Sequence, residues 1–123
     1  MGRVIHFDIS ADNTDRAITF YKRAFGWQIR KAHGALEYWT ASTGDPEDRG
    51  IDGNIFLREA DWQHITMLVA VESIKDAMRN VENAGGSIIA KPHTIPGVGY
   101  AAYCKDTEDN VIGLFEESDT AGF

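Results

Sequence analysis

His6 and Asp8 are the residues whose types and spacing most directly suggest chemistry in this sequence. They are two positions apart in a segment that alternates apolar and polar residues, so both point to one side of a predicted strand, about 7 Å apart. A His-x-Asp pair can supply two ligands to a divalent metal, or one ligand and the partner that orients it. The alternative is a polar pair that lines a wet cleft. Both interpretations make His6 and Asp8 candidate site residues.

The other histidines and the one cysteine have weaker claims on function. His64 begins a second strand-like segment, either as part of a site or as a hydrogen-bonded structural residue. His33 lies beside a glycine and His93 follows a proline, which is typical of loop residues. Cys104 has no second cysteine to pair with, and no Cys-His-Asn or Gly-x-Ser-x-Gly arrangement surrounds it. A small buried apolar residue is the favoured role for Cys104, and no catalytic residue is assigned.

Composition and charge exclude several classes of function. A chain of 123 residues, 43% of them hydrophobic, fits one domain over residues 1–123. The net charge of −7 and the 12 scattered basic residues argue against nucleic-acid binding, which needs clustered Lys and Arg. No apolar run reaches the roughly 20 residues of a membrane span, and no apolar signal segment opens the chain. We therefore expect a cytoplasmic protein without a nucleic-acid or membrane partner.

The first half of the chain predicts a strand, a helix and three further strands. Val4 to Ile9 alternates between an apolar side and a mixed side. Apolar residues then recur at helical spacing over residues 13–25, between N-cap candidates at Asp12 and Asn13 and a left-handed stop at Gly26. The three later strands are predicted at Trp27–Ala32, Leu36–Ser42 and Asn54–Arg58, with a polar loop over residues 43–50.

The same order of elements repeats in the second half. A strand at His64–Val71 precedes a helix that begins at a capping box of Ser73 and Asp76 and ends at Gly85. Because an internal repeat takes priority in assigning a fold, the sequence predicts an α+β fold of two βαβββ repeats, over about 1–60 and 61–123, forming a curved mixed sheet around a cleft. The last three strands are predicted at Ser87–Lys91, Tyr100–Lys105 and Val111–Glu116, with turns over Pro92–Gly99 and 106–110.

Four segments carry a resemblance to a known family. They are the opening Val4-Ile5-His6-Phe7-Asp8-Ile9, the run from Arg16 to Trp27, Pro96-Gly97-Val98-Gly99-Tyr100, and the ending from Asp106 to Leu114. Together these segments resemble the vicinal oxygen chelate superfamily. This superfamily includes glyoxalase I, fosfomycin-resistance proteins, bleomycin-binding proteins and extradiol dioxygenases. The sequence is most similar to its small single-domain members, often described as glyoxalase-like, and the resemblance covers essentially the whole chain.

The resemblance implies a divalent metal site in the cleft. His6 and His64 match the ligands from the first strand of each half, and two imidazoles suit Zn, Ni, Mn or Fe. The family's glutamate in the last strand falls at Gly113, which has no side chain to ligate. Asp8 is the substitute candidate, since Glu116 is an odd number of residues from Gly113 and should face the other side of its strand. A glycine inside a strand also often marks close approach by a ligand or another backbone.

Two functions remain open at this point, beside a third alternative, an accessory dimeric domain with no ligand of its own. The first is a protein that binds a small, partly aromatic molecule in the cleft, with an incomplete metal site. The second is a divalent-metal lyase or isomerase of the lactoylglutathione lyase type, which would need a third ligand from Asp8 or a partner chain. Relatives commonly pair, so we expect a homodimer. The predicted pocket lining is Tyr38 (or Trp39), Thr66, Leu68, Tyr100, Ala102, Gly113 and Phe115.

Overall fold

The computed structural model describes residues 2–34 and 36–122, and these residues form two helices and eight strands. The predicted α+β class and the order strand, helix, three strands, twice over, are confirmed. In chain order the elements are β1 (Arg3–Ala11), α1 (Thr14–Phe25), β2 (Gln28–Lys31), β3 (Trp39–Ser42), β4 (Gly53–Leu57), β5 (Ile65–Ala70), α2 (Ile74–Asn83), β6 (Ser87–Ile95), β7 (Gly99–Lys105) and β8 (Val111–Glu117).

The chain divides into two compact units. One contains residues 5–66, called here the first half, and the other contains residues 2–4 together with 67–122, called the second half. The division falls a few residues after the predicted boundary near residue 60, because the connection after β4 and the start of β5 belong to the first half.

In the first half the strands lie in the order β2-β3-β4-β1, with β1 and β4 parallel and the other pairs antiparallel. One face of this sheet packs under α1, whose side chains Ala17, Ile18 and Tyr21 contact the buried residues. The sheet core is formed by Ile9, Ala11, Ile29, Ala41 and Ile55. The predicted apolar side of β1 is therefore the side that faces α1.

Helix α1 has the predicted caps. The Asn13 side chain accepts a hydrogen bond from the Arg16 N–H at 3.0 Å, which satisfies one of the donors left free at a helix start. At the other end Gly26 has φ 73° and donates its N–H to the Lys22 carbonyl at 2.9 Å. A left-handed residue at this position ends a helix, and glycine adopts that conformation without steric cost.

In the second half the strands lie in the order β5-β8-β7-β6, with β5 and β8 parallel. The core under α2 consists of Ile74, Ala102, Cys104 and Leu114. The predicted cap at Ser73 is confirmed, since its side chain accepts from the Asp76 N–H at 3.2 Å. The helix ends before Gly85, which has φ 102°.

The turn predicted over Pro92–Gly99 is wrong in its first part. Strand β6 continues to Ile95, so His93, predicted in a loop, lies in a strand and pairs with Ala101. The β6–β7 register shifts between Ile88 and Ala90 and again between Ala90 and His93. Proline lacks the N–H of a ladder bond and is tolerated at such irregularities of a terminal strand, which is why Pro92 interrupts the pairing and does not end the strand.

Candidate functional site

The sheet face opposite α1 in the first half carries hydrogen-bonding side chains. Strand alternation places His6 and Asp8 there, because their neighbours Phe7 and Ile9 pack on the α1 side. The pairing of the strands continues this row of side chains from Asp8 across all four strands of the first half. Directly paired residues share a face, and the pairs are Asp8 with Asn54, Asn54 with Thr40, and Thr40 with Arg30.

His6 is held by a backbone carbonyl. Its Nδ1 lies 2.9 Å from the Asp52 oxygen, and both residues belong to the first half. A carbonyl oxygen only accepts, so Nδ1 carries the proton of the neutral ring. The Nε2 atom is consequently the acceptor nitrogen, which is the arrangement that orients a ligating or proton-accepting histidine.

Asp8 is half-buried on the same face and accepts a hydrogen bond from Asn54 Nδ2 at 3.4 Å. One row along the sheet, the half-buried rings of Tyr38 and Phe56 stack with centroids 5.0 Å apart and planes inclined by 21°. The predicted lining residue Tyr38 therefore belongs to an aromatic pair. Residue type alone did not reveal its partner Phe56, because the pairing depends on the register of β3 and β4.

His64 is exposed and lies just before β5. Its backbone oxygen accepts from both the N–H and the hydroxyl of Ser10, at 2.9 Å and 3.0 Å. These bonds fix the main chain at His64. Thr66, two residues on, is buried, with 4% of its surface exposed.

The predicted metal ligands do not form a complete set. Within residues 2–34 and 36–122, no group of three or more His, Cys, Asp or Glu residues is placed to hold a metal ion. Three protein ligands are the usual minimum of a catalytic site for Zn²⁺ and similar ions. The donor set of His6, Asp8 and His64 therefore does not fit the metal that the family resemblance implies.

Leu68, Gly113 and Phe115 share the face opposite α2 in the second half. Leu68 pairs with Gly113, which in turn pairs with Tyr103. A Cβ atom added to Gly113 would lie 2.5 Å from Leu68 Cδ1 and 3.4 Å from Tyr103 Cε1. The close approach that this glycine permits is thus made by the Leu68 side chain.

The predicted positions of Tyr100 and Ala102 on this face are wrong. Ala102 is fully buried in the core under α2, and Tyr100 packs against that core. The residues of β7 that pair with Phe115 and Gly113 are Ala101 and Tyr103. The error is a shift of one residue, which reverses the face of every side chain in a strand.

Glu116 faces the α2 side, as its odd offset from Gly113 predicted. Its Oε1 accepts a hydrogen bond from the N–H of Ile74, the first residue of α2, at 2.9 Å. A carboxylate at a helix start satisfies a free donor and interacts favourably with the helix dipole. Glu116 is therefore engaged in capping α2.

The pKa values of Cys104 and Asp106, both in the second half, are clearly shifted. Burial raises the pKa of the Cys104 thiol, and the negative charge of Asp106 raises it further. The pKa of Asp106 is lowered because its carboxylate accepts hydrogen bonds from the side chain and N–H of Asn110 and from the N–H of Glu108. Neither group belongs to the predicted site, and a raised thiol pKa opposes a nucleophilic role for Cys104.

A βαβββ unit that occurs twice, with one helix over one face of each sheet, defines the class of glyoxalase-like α+β proteins. The sequence model of the Glyoxalase/Bleomycin resistance protein/Dioxygenase superfamily matches residues 3–114. The chain belongs to this superfamily. Comparison with curated protein sequences finds no match.

Solved structures share this fold at low sequence identity. A hypothetical protein from Bacillus halodurans C-125 superposes with a TM-score of 0.71 at 11% identity, covering 99% of both chains. Methylmalonyl-CoA epimerase from Mycobacterium tuberculosis gives a TM-score of 0.66 at 12% identity, covering 94% of this chain and 87% of the epimerase. A Streptomyces coelicolor methylmalonyl-CoA epimerase in complex with 2-nitronate-propionyl-CoA gives 0.66 at 12% identity, covering 98% of each chain. These likenesses establish the fold.

No helix within residues 2–34 and 36–122 is long and apolar enough to cross a membrane.

Proposed function

We propose that this protein binds a small molecule that presents hydrogen-bond donors and a flat ring to the face opposite α1. The observation that carries the proposal is the composition of that face. His6 Nε2 and the Asp8 carboxylate are both acceptors on one strand, and the Tyr38–Phe56 pair offers an aromatic surface nearby. A few oriented polar groups beside aromatic side chains are the usual anatomy of a small-molecule site.

Superfamily membership supports the same proposal at a coarser level. The Streptomyces coelicolor epimerase, which shares the fold, was solved in complex with 2-nitronate-propionyl-CoA. At 12% identity the shared fold does not determine which ligand this chain binds, because that choice depends on individual side chains. The proposed ligand class therefore rests on the acceptors and aromatic rings of this chain.

The enzymatic alternative is a divalent-metal lyase or isomerase of the lactoylglutathione lyase type. In such an enzyme His6 and His64 would hold Zn, Ni, Mn or Fe, and a third ligand would have to come from Asp8 or a partner chain. Since the described residues do not group three such side chains, binding without a resident metal is the function that the donor set supports better.

The test begins with untagged protein purified directly from cells. Native mass spectrometry should detect a bound organic molecule, and elemental analysis should find less than one divalent metal per chain. Asn54→Ala, which removes the amide beside Asp8, should weaken retention of that molecule, whereas Asn80→Ala on the exposed side of α2 should not. A stoichiometric metal that is lost in His6→Ala would instead contradict binding without a resident metal and favour the lyase alternative.

We further propose that the protein is a cytoplasmic homodimer. Strands β2 and β6 each end the strand order of their half, and such terminal strands are available for pairing with another chain. Light scattering at micromolar concentration should give twice the mass of one chain, and the mass of a single chain would contradict the dimer.

A further inference from the structure

The polar loop between β3 and β4 is closed at its base by side-chain hydrogen bonds. Thr43 follows the last residue of β3, and Asp52 precedes the first residue of β4. Asp52 Oδ1 accepts from the Thr43 N–H at 2.9 Å, and the Thr43 hydroxyl donates to the Ile51 carbonyl at 2.7 Å. These bonds, called here the loop clasp, hold the main chain at residues 51 and 52 where the β3–β4 ladder ends.

The loop clasp and His6 meet at Asp52. The side chain of Asp52 belongs to the clasp, and its backbone oxygen accepts the hydrogen bond from His6 Nδ1 at 2.9 Å. The opposite tautomer would direct the Nδ1 lone pair at the carbonyl lone pairs, which is repulsive. Whatever fixes the Asp52 carbonyl therefore also selects the His6 tautomer.

We infer that Thr43 and Asp52 are positioning residues that hold neutral His6 with its proton on Nδ1 and so present Nε2 as an acceptor to the ligand. The inference rests on the proposed function and deepens it, because it requires the ligand to place an N–H or O–H group at His6. A ligand that offers only an acceptor at this position is excluded, since two lone pairs would face each other.

The remainder of the loop, residues 44–50, is exposed to solvent. It contains a turn in which Asp45 Oδ1 accepts a hydrogen bond from the Glu47 N–H at 2.9 Å. The Asp52 side chain is part of the clasp, and the Asp52 carbonyl accepts the hydrogen bond from His6. We therefore expect a substitution that weakens the clasp to alter the hydrogen bond of His6. Distant loop residues such as Asp48 are expected to leave the tautomer unchanged.

The experiment measures the tautomer directly in the protein without ligand. Long-range ¹H–¹⁵N spectra, recorded at a pH where His6 is neutral, should show a protonated Nδ1 and an unprotonated Nε2. Thr43→Val, which keeps the side-chain shape and removes the hydroxyl, should raise the Nε2–H population about fivefold, the effect of weakening one hydrogen bond. The matched control Thr19→Val, on the exposed side of α1, should leave the spectrum of His6 unchanged.

Two further variants keep the inference testable if Thr43→Val folds poorly. Asp52→Ala removes the acceptor for the Thr43 N–H and should shift the tautomer, whereas Asp52→Asn keeps an oxygen there and should not. A wild-type His6 with its proton on Nε2, or a tautomer that ignores Thr43→Val and Asp52→Ala in folded protein, overturns the inference. The Nδ1–H tautomer in a protein that purifies without any bound molecule would count against the proposed function alone.

Discussion

The side chain of Leu68 occupies the space that a side chain at Gly113 would need. The two residues are paired across β5 and β8, and an added Cβ at Gly113 would lie 2.5 Å from Leu68 Cδ1. The family resemblance places a metal-ligating glutamate at this position. In this chain the position is part of the packing of the face opposite α2, so a glutamate could enter only if Leu68 moved.

The first prediction concerns this contact. Gly113→Ala should lower the free energy of unfolding by about 1–3 kcal/mol, because it overpacks a filled site. In a Leu68→Ala background the same substitution should cost much less, since the obstructing methyl groups are gone. Urea unfolding of the two single variants and the double variant gives the coupling energy. Gly44→Ala is the control, because a Cβ there meets no atom within 4 Å. Additive costs would contradict the packing interpretation.

The second prediction concerns the cap of α2. Glu116→Ala should destabilise the protein by about 1–3 kcal/mol, because the N–H of Ile74 loses a charged acceptor at 2.9 Å. Glu116→Gln retains an acceptor oxygen and should cost about half as much. Thermal and urea unfolding measure both effects. The neighbouring exposed Glu117 supplies the control, and Glu117→Ala should change stability by less than about 0.5 kcal/mol.

The sequence predicts the repeated order of elements because local signals are strong in this chain. The caps of α1 and α2 are set by residues within one turn of each helix, at Asn13 and Ser73, and the structure confirms both. Alternation likewise identifies the two sides of β1, since Phe7 and Ile9 are apolar while His6 and Asp8 are not. These features depend on neighbours in sequence.

Register between strands is a property that the sequence alone could not supply here. Tyr100 and Ala102 were predicted beside Gly113, but pairing of Gly113 with Tyr103 places them on the opposite side of β7. Nothing local distinguishes the two registers, because β7 carries small or aromatic residues on both sides. The row from Asp8 to Arg30 was missed for the same reason, since it joins residues of four strands.

The third prediction concerns acid stability. Hydrogen bonds from Asn110 and Glu108 lower the pKa of Asp106 in the folded protein below its unfolded value. This group therefore contributes stability above the unfolded pKa of about 4, and the contribution is lost as the pH falls through the folded pKa. Asp106→Asn should lower stability at pH 7 and reduce the slope of stability against pH below about pH 4. Asp119→Asn, at an exposed residue, should leave that slope unchanged. An unchanged slope in Asp106→Asn would contradict the assignment.

The fourth prediction concerns Cys104, which is only 1% exposed and packs in the core under α2. Burial, and to a smaller degree the charge of Asp106, raises the pKa of its thiol above the unfolded value. The folded protein should thus react with a thiol reagent at pH 8 only through unfolding, and the reaction rate should follow the unfolded fraction in urea.

The stability conferred by the protonated Cys104 thiol is fully present below about pH 8.5 and is lost as the pH rises through the folded pKa. Cys104→Ala should remove the reaction and this alkaline loss together, while Cys104→Ser would add a buried hydroxyl and cost more stability. Rapid labelling under native conditions would show that Cys104 is accessible and would contradict the core assignment.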